Sequence, residues 1–345
     1  MLYVTTRNSR DAYTAQRALR EDRGPDGGLY LPFREPVFSP SRLRELFHMN
    51  ANAVIAEILN LLFNAKLSQW DIDFCIGRHP VRLAELSPKI IMAESWHNPQ
   101  GRFSWMASRL SELIRQQEGE VLSDWAEVGA RIAVLFGVFG ELVRNGLAAL
   151  DKPVDICVVS GSFSAPMSAW YARKWGLPIE NIIICCNENN TPWELLHHGQ
   201  FRTDTVAVPT STPDGDVSLP AGLERLVYGA GGIQETEKYL ESCRHGGVYS
   251  PSDLVLSRMR KGMYVGVVGT RRAARIIYSI YSSNGYILSP YGALCWGGML
   301  DYRAQTGQRR YAVILAETSP ACYAGTVAEA LGIPEKELID IYKEL

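Results

Sequence analysis

Val154-Asp155-Ile156-Cys157-Val158-Val159-Ser160-Gly161-Ser162-Phe163-Ser164-Ala165-Pro166 is the stretch whose reading decides the fold. Six residues of strand-forming character run into a loop of small residues, and helical spacing then sets in from about Pro166 to Trp175. A second β-rich run, Ile182-Ile183-Ile184-Cys185-Cys186, completes a strand–helix–strand unit, whose two strands are parallel because a helical crossover joins them. The alternation continues through Tyr264 to Val268, a helix near Arg272 to Ser283, the run Ala312 to Ala316 and a helix near Ala324 to Leu331. This pattern predicts an α/β fold with a parallel or mostly parallel sheet covered on both faces.

Upstream of that unit the chain is helical. Phe103, Met106, Ala107, Leu110, Leu113 and Ile114 recur on one helical face, and a longer helix is expected from about Ser123 to Leu150. From Met1 to about Pro99 loops mix with helices: Pro25-Asp26-Gly27-Gly28 is a turn before Leu29-Tyr30-Leu31, and Val54, Ile55, Ile58, Leu61 and Leu62 follow helical spacing. The expected division is an N-terminal region, 1–100, and a helical connection plus large α/β domain, 101–345.

Composition bounds the partners. The chain has 345 residues, 46% of them hydrophobic, which is enough to bury a sizeable core. Its 35 Lys+Arg are balanced by 37 Asp+Glu, so no basic excess exists for a nucleic-acid backbone or an anionic membrane, and neither is expected as a partner. The apolar run Ile132 to Gly140 is bounded by Arg131 and Glu141 and is too short to span a bilayer. The first residues lack the basic and apolar regions of a secretory signal, so a cytoplasmic location is expected. Seven cysteines show no C-x-x-C pair, which argues for buried thiols rather than disulfides, and no metal site is expected.

Three segments carry candidate chemistry. The Gly161, Ser162, Phe163, Ser164 loop lies between a strand and a helix, where small residues and a helix start suit a phosphate or another small anion. The same residues also read as an ordinary turn with Ser164 as helix cap. Asn187 opens a polar cluster, Asn187-Glu188-Asn189-Asn190-Thr191-Pro192, at the carboxyl end of the next strand, where ligands gather in open α/β sheets and where loop chemistry is also ordinary. Glu94-Ser95-Trp96-His97 places a titratable imidazole beside a carboxylate, which suits proton transfer or a packed, hydrogen-bonded histidine. His197-His198 before Gly199 read as a helix terminus.

Several short motifs, in order, resemble the threonine synthase family of fold type II pyridoxal-phosphate enzymes. Pro25-Asp26-Gly27-Gly28-Leu29-Tyr30-Leu31-Pro32 is similar to the family's P-D-G-G-L-Y-x-P, and Ser160-Gly161-Ser162-Phe163-Ser164 to part of its P-T-G-N-F-G-N. Tyr171-Ala172-Arg173-Lys174-Trp175-Gly176-Leu177-Pro178, Asn187-Glu188-Asn189, Leu223-Glu224-Arg225-Leu226-Val227-Tyr228 and Val327-Ala328-Glu329-Ala330-Leu331-Gly332-Ile333 continue the match. The resemblance implies a three-layer parallel-sheet core, a mixed α/β N-terminal region, pyridoxal phosphate as cofactor and homodimers.

The departures fall on the chemistry. Glu94 to Trp105 aligns with the family's E-x-F-H-G-P-T-x-x-F-K-D, which puts Ser104 at the cofactor lysine, and a hydroxyl cannot form a Schiff base. Gln116-Gln117-Glu118-Gly119-Glu120 runs almost directly into Val121-Leu122-Ser123-Asp124-Trp125, which resembles the family's V-N-S-I-N-W, so the small mobile domain is expected to be deleted. Tyr291, Ser319 and Cys322 stand where the family has two histidines and a lysine. Of the eight lysines, Lys89 comes nearest in sequence to the lost position. The expectation is a pseudoenzyme with no covalent cofactor, binding a small anionic ligand or a partner protein at an exposed cleft. The alternatives are a site completed by a partner and an enzyme of altered chemistry, with His97 as acid or base, Glu94 as its orienter and Ser104 as hydroxyl nucleophile or donor. In the altered enzyme Tyr291 and Glu317 form the remodelled wall and Cys295 and Cys322 are thiols beside it.

Overall fold

The structure is a computed structural model that describes residues 1–117 and 122–343. Its centre is a six-stranded sheet in the order Met263–Val267, Ile179–Cys186, Val154–Val159, Ala312–Ala316, Ile90–Glu94, Arg82–Ser87. The first five strands are parallel and the Arg82–Ser87 edge strand is antiparallel to its neighbour. The strands 82–87 and 90–94 come from the sequence before residue 100, so one sheet draws on both sides of that boundary.

Alternation along the strands makes the three layers. Ile91, Ala93, Ile156, Val158, Ile182, Ile184 and Val313 enter one core, packed by the helices Ala51–Phe63, Phe103–Arg115, Asp124–Arg144 and Ser164–Lys174. Ile90, Met92, Cys157, Ile183, Cys185 and Ile314 enter the other, under Thr270–Asn284, Pro290–Thr306 and Ala324–Leu331. Both faces are apolar because both are covered, which is why these strands read as continuous hydrophobic runs rather than alternating ones.

The helix 124–144 is buried nearly all round, which explains its apolar middle. Ser123 caps it, accepting from the Ala126 amide, and it stops at Arg144 rather than Leu150 because Gly146 takes a φ of 70° and turns the chain. The helix after Val159 starts two residues earlier than the spacing indicates, and Ser164 is its first residue rather than its cap. Phe163 occupies the cap position with a left-handed φ of 72°.

The Tyr13–Thr14, Leu2–Thr5 and Tyr30–Pro32 strands form a small antiparallel sheet. It is tied to the main body by Arg225, whose buried guanidinium donates to the Tyr30 carbonyl at 3.0 Å and pairs with Asp124 at 2.5 Å. The helices Phe103–Arg115 and Asp124–Arg144 are joined by residues 116–123. Part of that junction, 118–121, lies outside the described residues, which hold no second parallel sheet. Among the described residues no helix is long and apolar enough to cross a membrane.

The helix 290–306 lies directly on the sheet. A Cβ at Gly298 would stand 2.5 Å from the Cys185 sulfur, and one at Gly266 3.2 Å from Gly298 Cα. Gly298→Ala is expected to cost about 1–3 kcal/mol of stability by overpacking, read as a lower denaturation midpoint in urea.

Candidate functional site

The carboxyl ends of the parallel strands open into a cleft of about 300 Å³. Its floor is Val159 to Ser162 and Leu315, one wall is the start of the 103–115 helix with Ser104, and Tyr291 and Gly215 close the far side. The sheet brings these segments together because Ala316 pairs with Glu94 and Ile314 with Cys157 in parallel register. Phe103 then donates its amide to the Glu317 carbonyl and Ser319 to the Gly101 carbonyl, each at 2.8 Å, which fixes the helix carrying Ser104 against the end of the 312–316 strand.

Arg131 sits at the bottom of the cleft. Its Nε and Nη2 donate to the two oxygens of Glu317 at 2.7 and 3.0 Å, Nη2 also meets Glu127 at 2.9 Å, and Nη1 donates to Ser164 Oγ at 3.1 Å. Phe103 lies under the guanidinium, 4.5 Å from its ring centroid. Burial opposes the charge, but Glu317 and Glu127 more than offset it and hold the guanidinium above the ordinary arginine pKa. Ser162 Oγ donates to Ser164 Oγ at 3.0 Å, and Ser164 Oγ in turn to Glu127 at 3.2 Å, so the loop hydroxyls join the same ionic network.

A second cation is committed in the same way at the mouth. Arg102 pairs with Asp214 at 2.6 Å and donates to Tyr323 Oη at 3.1 Å. Tyr323 also donates to Asp214, and Tyr291 Oη accepts from the Asp214 amide at 2.9 Å. Burial works against the Arg102 charge, while its hydrogen bonds to Tyr323 and Asp214 hold it above its usual pKa. The cleft lining thus carries Glu127, Asp214 and Glu317 against Arg102 and Arg131.

The structure brings together Ser104, Gly161, Ser162, Ser164, Tyr291 and Glu317, but not His97 or Asn187. Phe163 is fully buried and turned into the core. Asn187 is also buried, and its amide donates to Thr210, Thr212 and Asp216 at 2.8–3.0 Å, so it anchors the 210–216 loop that crosses the cleft. His97 lines a separate cavity on the other side of the Asn98–Arg102 turn, together with Cys322. There Glu94 lies 2.6 Å from Nε2, and Trp96 stacks on the ring at 4.0 Å. Cys295 is packed under the sheet, and all seven cysteines are free thiols. Burial pushes the Cys75 and Cys186 thiols up to about 11 and about 12. Among the described residues no lysine lines the cleft, and Lys89 is an exposed turn residue with a φ of 66°. Sequence reading missed Arg102, Glu127, Arg131 and Asp214. The Glu127–Arg131 pair, four apart on one helix, was the available signal.

An open cleft outside the carboxyl ends of a parallel sheet, on this three-layer core, defines the class: the chain has the fold of type II pyridoxal-phosphate enzymes. It overlays the PLP-bound threonine synthase of Brucella melitensis with a TM-score of 0.84 at 20% identity, over 99% of this chain and 94% of that one. The yeast threonine synthase structure gives 0.81 at 18% identity, over 96% and 90%. Residues 2–79 match the family model of the threonine synthase N terminus. Human threonine synthase-like 1 is 24% identical over 240 residues, covering 66% of this chain and 31% of that protein. Threonine synthase of Saccharomyces cerevisiae is 27% identical over 226 residues, covering 60% and 43%. The chain thus has the threonine synthase fold and an N-terminal region that matches the threonine synthase N terminus, and the sequence matches span less than half the length of those two relatives.

Arg131→Met is expected to leave Glu127 and Glu317 facing each other half-buried, at a cost of about 3–5 kcal/mol. Unpaired carboxylates of this kind have raised pKa values and are relieved by protonation. Chemical denaturation should therefore show the deficit shrinking as the pH falls through the carboxylate range.

Proposed function

We propose that this chain is a threonine-synthase-like pseudoenzyme, which keeps the family's scaffold and cleft for binding and does not run pyridoxal-phosphate chemistry. The observation that carries this reading is that no lysine among the described residues lines the cleft. Ser104, aligned with the cofactor lysine by family resemblance, stands exposed on its wall. An aldehyde cofactor needs an amine to hold it and to exchange with substrate, and a hydroxyl does neither.

The rest of the lining points the same way. The cations of the lining are already committed, for the N–H groups of Arg131 are directed at two carboxylates and a serine hydroxyl. Arg102 is likewise held by Asp214 and Tyr323. Without an amine in the lining, the residues present do not fit a covalently held cofactor, and the short 116–123 connection is read as the place where the family's small domain has been deleted.

The purified protein mixed with pyridoxal phosphate is expected to show no new visible absorbance band and no turnover of phosphohomoserine. Inorganic phosphate serves as control anion in a parallel thermal-shift series. A visible band, or threonine formed from phosphohomoserine, would overturn the proposal.

A further inference from the structure

We propose that the cavity on the far side of the Asn98–Arg102 turn is a second small-molecule site, built on Glu94 and His97, that takes a hydroxycarboxylate with an apolar body. It lies outside the cleft and is independent of the fate of the cofactor chemistry. Its volume is about 500 Å³, in the range of small-ligand sites.

The polar core of the site is a buried carboxylate with both oxygens engaged. Glu94, only 7% exposed at the end of the 90–94 strand, meets His97 Nε2 with one oxygen and accepts the Tyr286 hydroxyl with the other. We take the imidazole as donating from Nε2 to Glu94. In the neutral imidazole this leaves Nδ1 as the acceptor, and Nδ1 has no hydrogen-bond partner among the described residues. Stacking on Trp96 fixes the ring plane, so the acceptor is held in place before any ligand arrives.

The second polar group is a cation without a partner. Arg82 stands directly opposite Glu94 in the antiparallel register of the edge strand and lines the same cavity. It makes no ion pair among the described residues, in contrast to Arg102 and Arg131 in the cleft. A free guanidinium recognises a carboxylate through two parallel hydrogen bonds. Trp96 and Tyr342, edge to face at 6.0 Å, supply the apolar wall. A ligand that satisfies all three features presents a carboxylate to Arg82, a hydroxyl to His97 Nδ1 and an apolar body to the aromatic pair.

The test compares 3-phenyllactate with 3-phenylpropionate, which lacks only the hydroxyl, by calorimetry and by side-chain nitrogen NMR of the six histidines. Phenyllactate is expected to bind at least about tenfold more tightly, because phenylpropionate leaves a held acceptor unpaired, and to move the His97 Nδ1 resonance. Arg82→Ala, an exposed-site change that spares the core, should weaken phenyllactate by about tenfold or more. His97→Ala should abolish the preference for the hydroxyl. Equal affinity for the two acids, an unmoved His97 signal, undiminished binding in Arg82→Ala, or no binding of either acid would each overturn the proposal. If His97→Ala fails to fold, the wild-type comparison and Arg82→Ala still decide.

Discussion

The ionic clamp of Arg131 is the constraint on which the cleft depends. A guanidinium this deeply buried is tolerated only when its donors are met, and here Glu127, Glu317 and Ser164 meet them from three different elements. The clamp thereby joins the middle of the 124–144 helix, the end of the 312–316 strand and the start of the 164–174 helix. It holds the cleft in shape whether or not a ligand is present, and it spends the deepest cation on the protein itself.

The mouth of the cleft follows the same logic. The 210–216 loop is pinned at its base by Asn187 and Asn189, both of which donate to Asp216 Oδ1, and at its tip by the Arg102–Asp214 pair. The tyrosine hydroxyls of Tyr291 and Tyr323 fill in around Asp214. Polar groups that look available in the sequence are thus partners of one another in the fold. That internal pairing holds the cleft in shape from both its base and its mouth.

The parallel core was legible because strand-forming runs alternate with helices, and Ala312–Ala316 and Ala324–Leu331 fall where the pattern puts them. The antiparallel edge strand 82–87 was not, since its residues, half-exposed and partly charged, lack a strand's apolar signature. The loop at Gly161 was legible as a βα turn, but the role of Ser164 was not. Its hydroxyl faces Arg131 and Glu127 across the cleft, which is a long-range contact that no local spacing reports. Asn187 was misplaced for a related reason. Its position at a strand end is real, but Thr210, Thr212 and Asp216 reach it from a loop more than twenty residues on. The Glu94–His97 contact was readable because both residues lie on one short segment.

The segment from Glu94 to Ser104 lies between the two cavities and gives each a different chemistry. Asn98 holds the turn, accepting from the Gln100 and Arg102 amides and donating to the Arg102 carbonyl. Gly101 completes it at a φ of 64°, where a Cβ would stand 2.9 Å from Ser319 and 3.0 Å from the Cys322 sulfur. The chain therefore reverses tightly enough to put His97 on one side and Ser104 on the other, which no straight helix or strand over that span could do. Ser104 lines one cavity and the imidazole of His97 the other. The hydroxyl of Ser104 in the cleft and the ordered imidazole of His97 beside it are kept apart because this turn divides them.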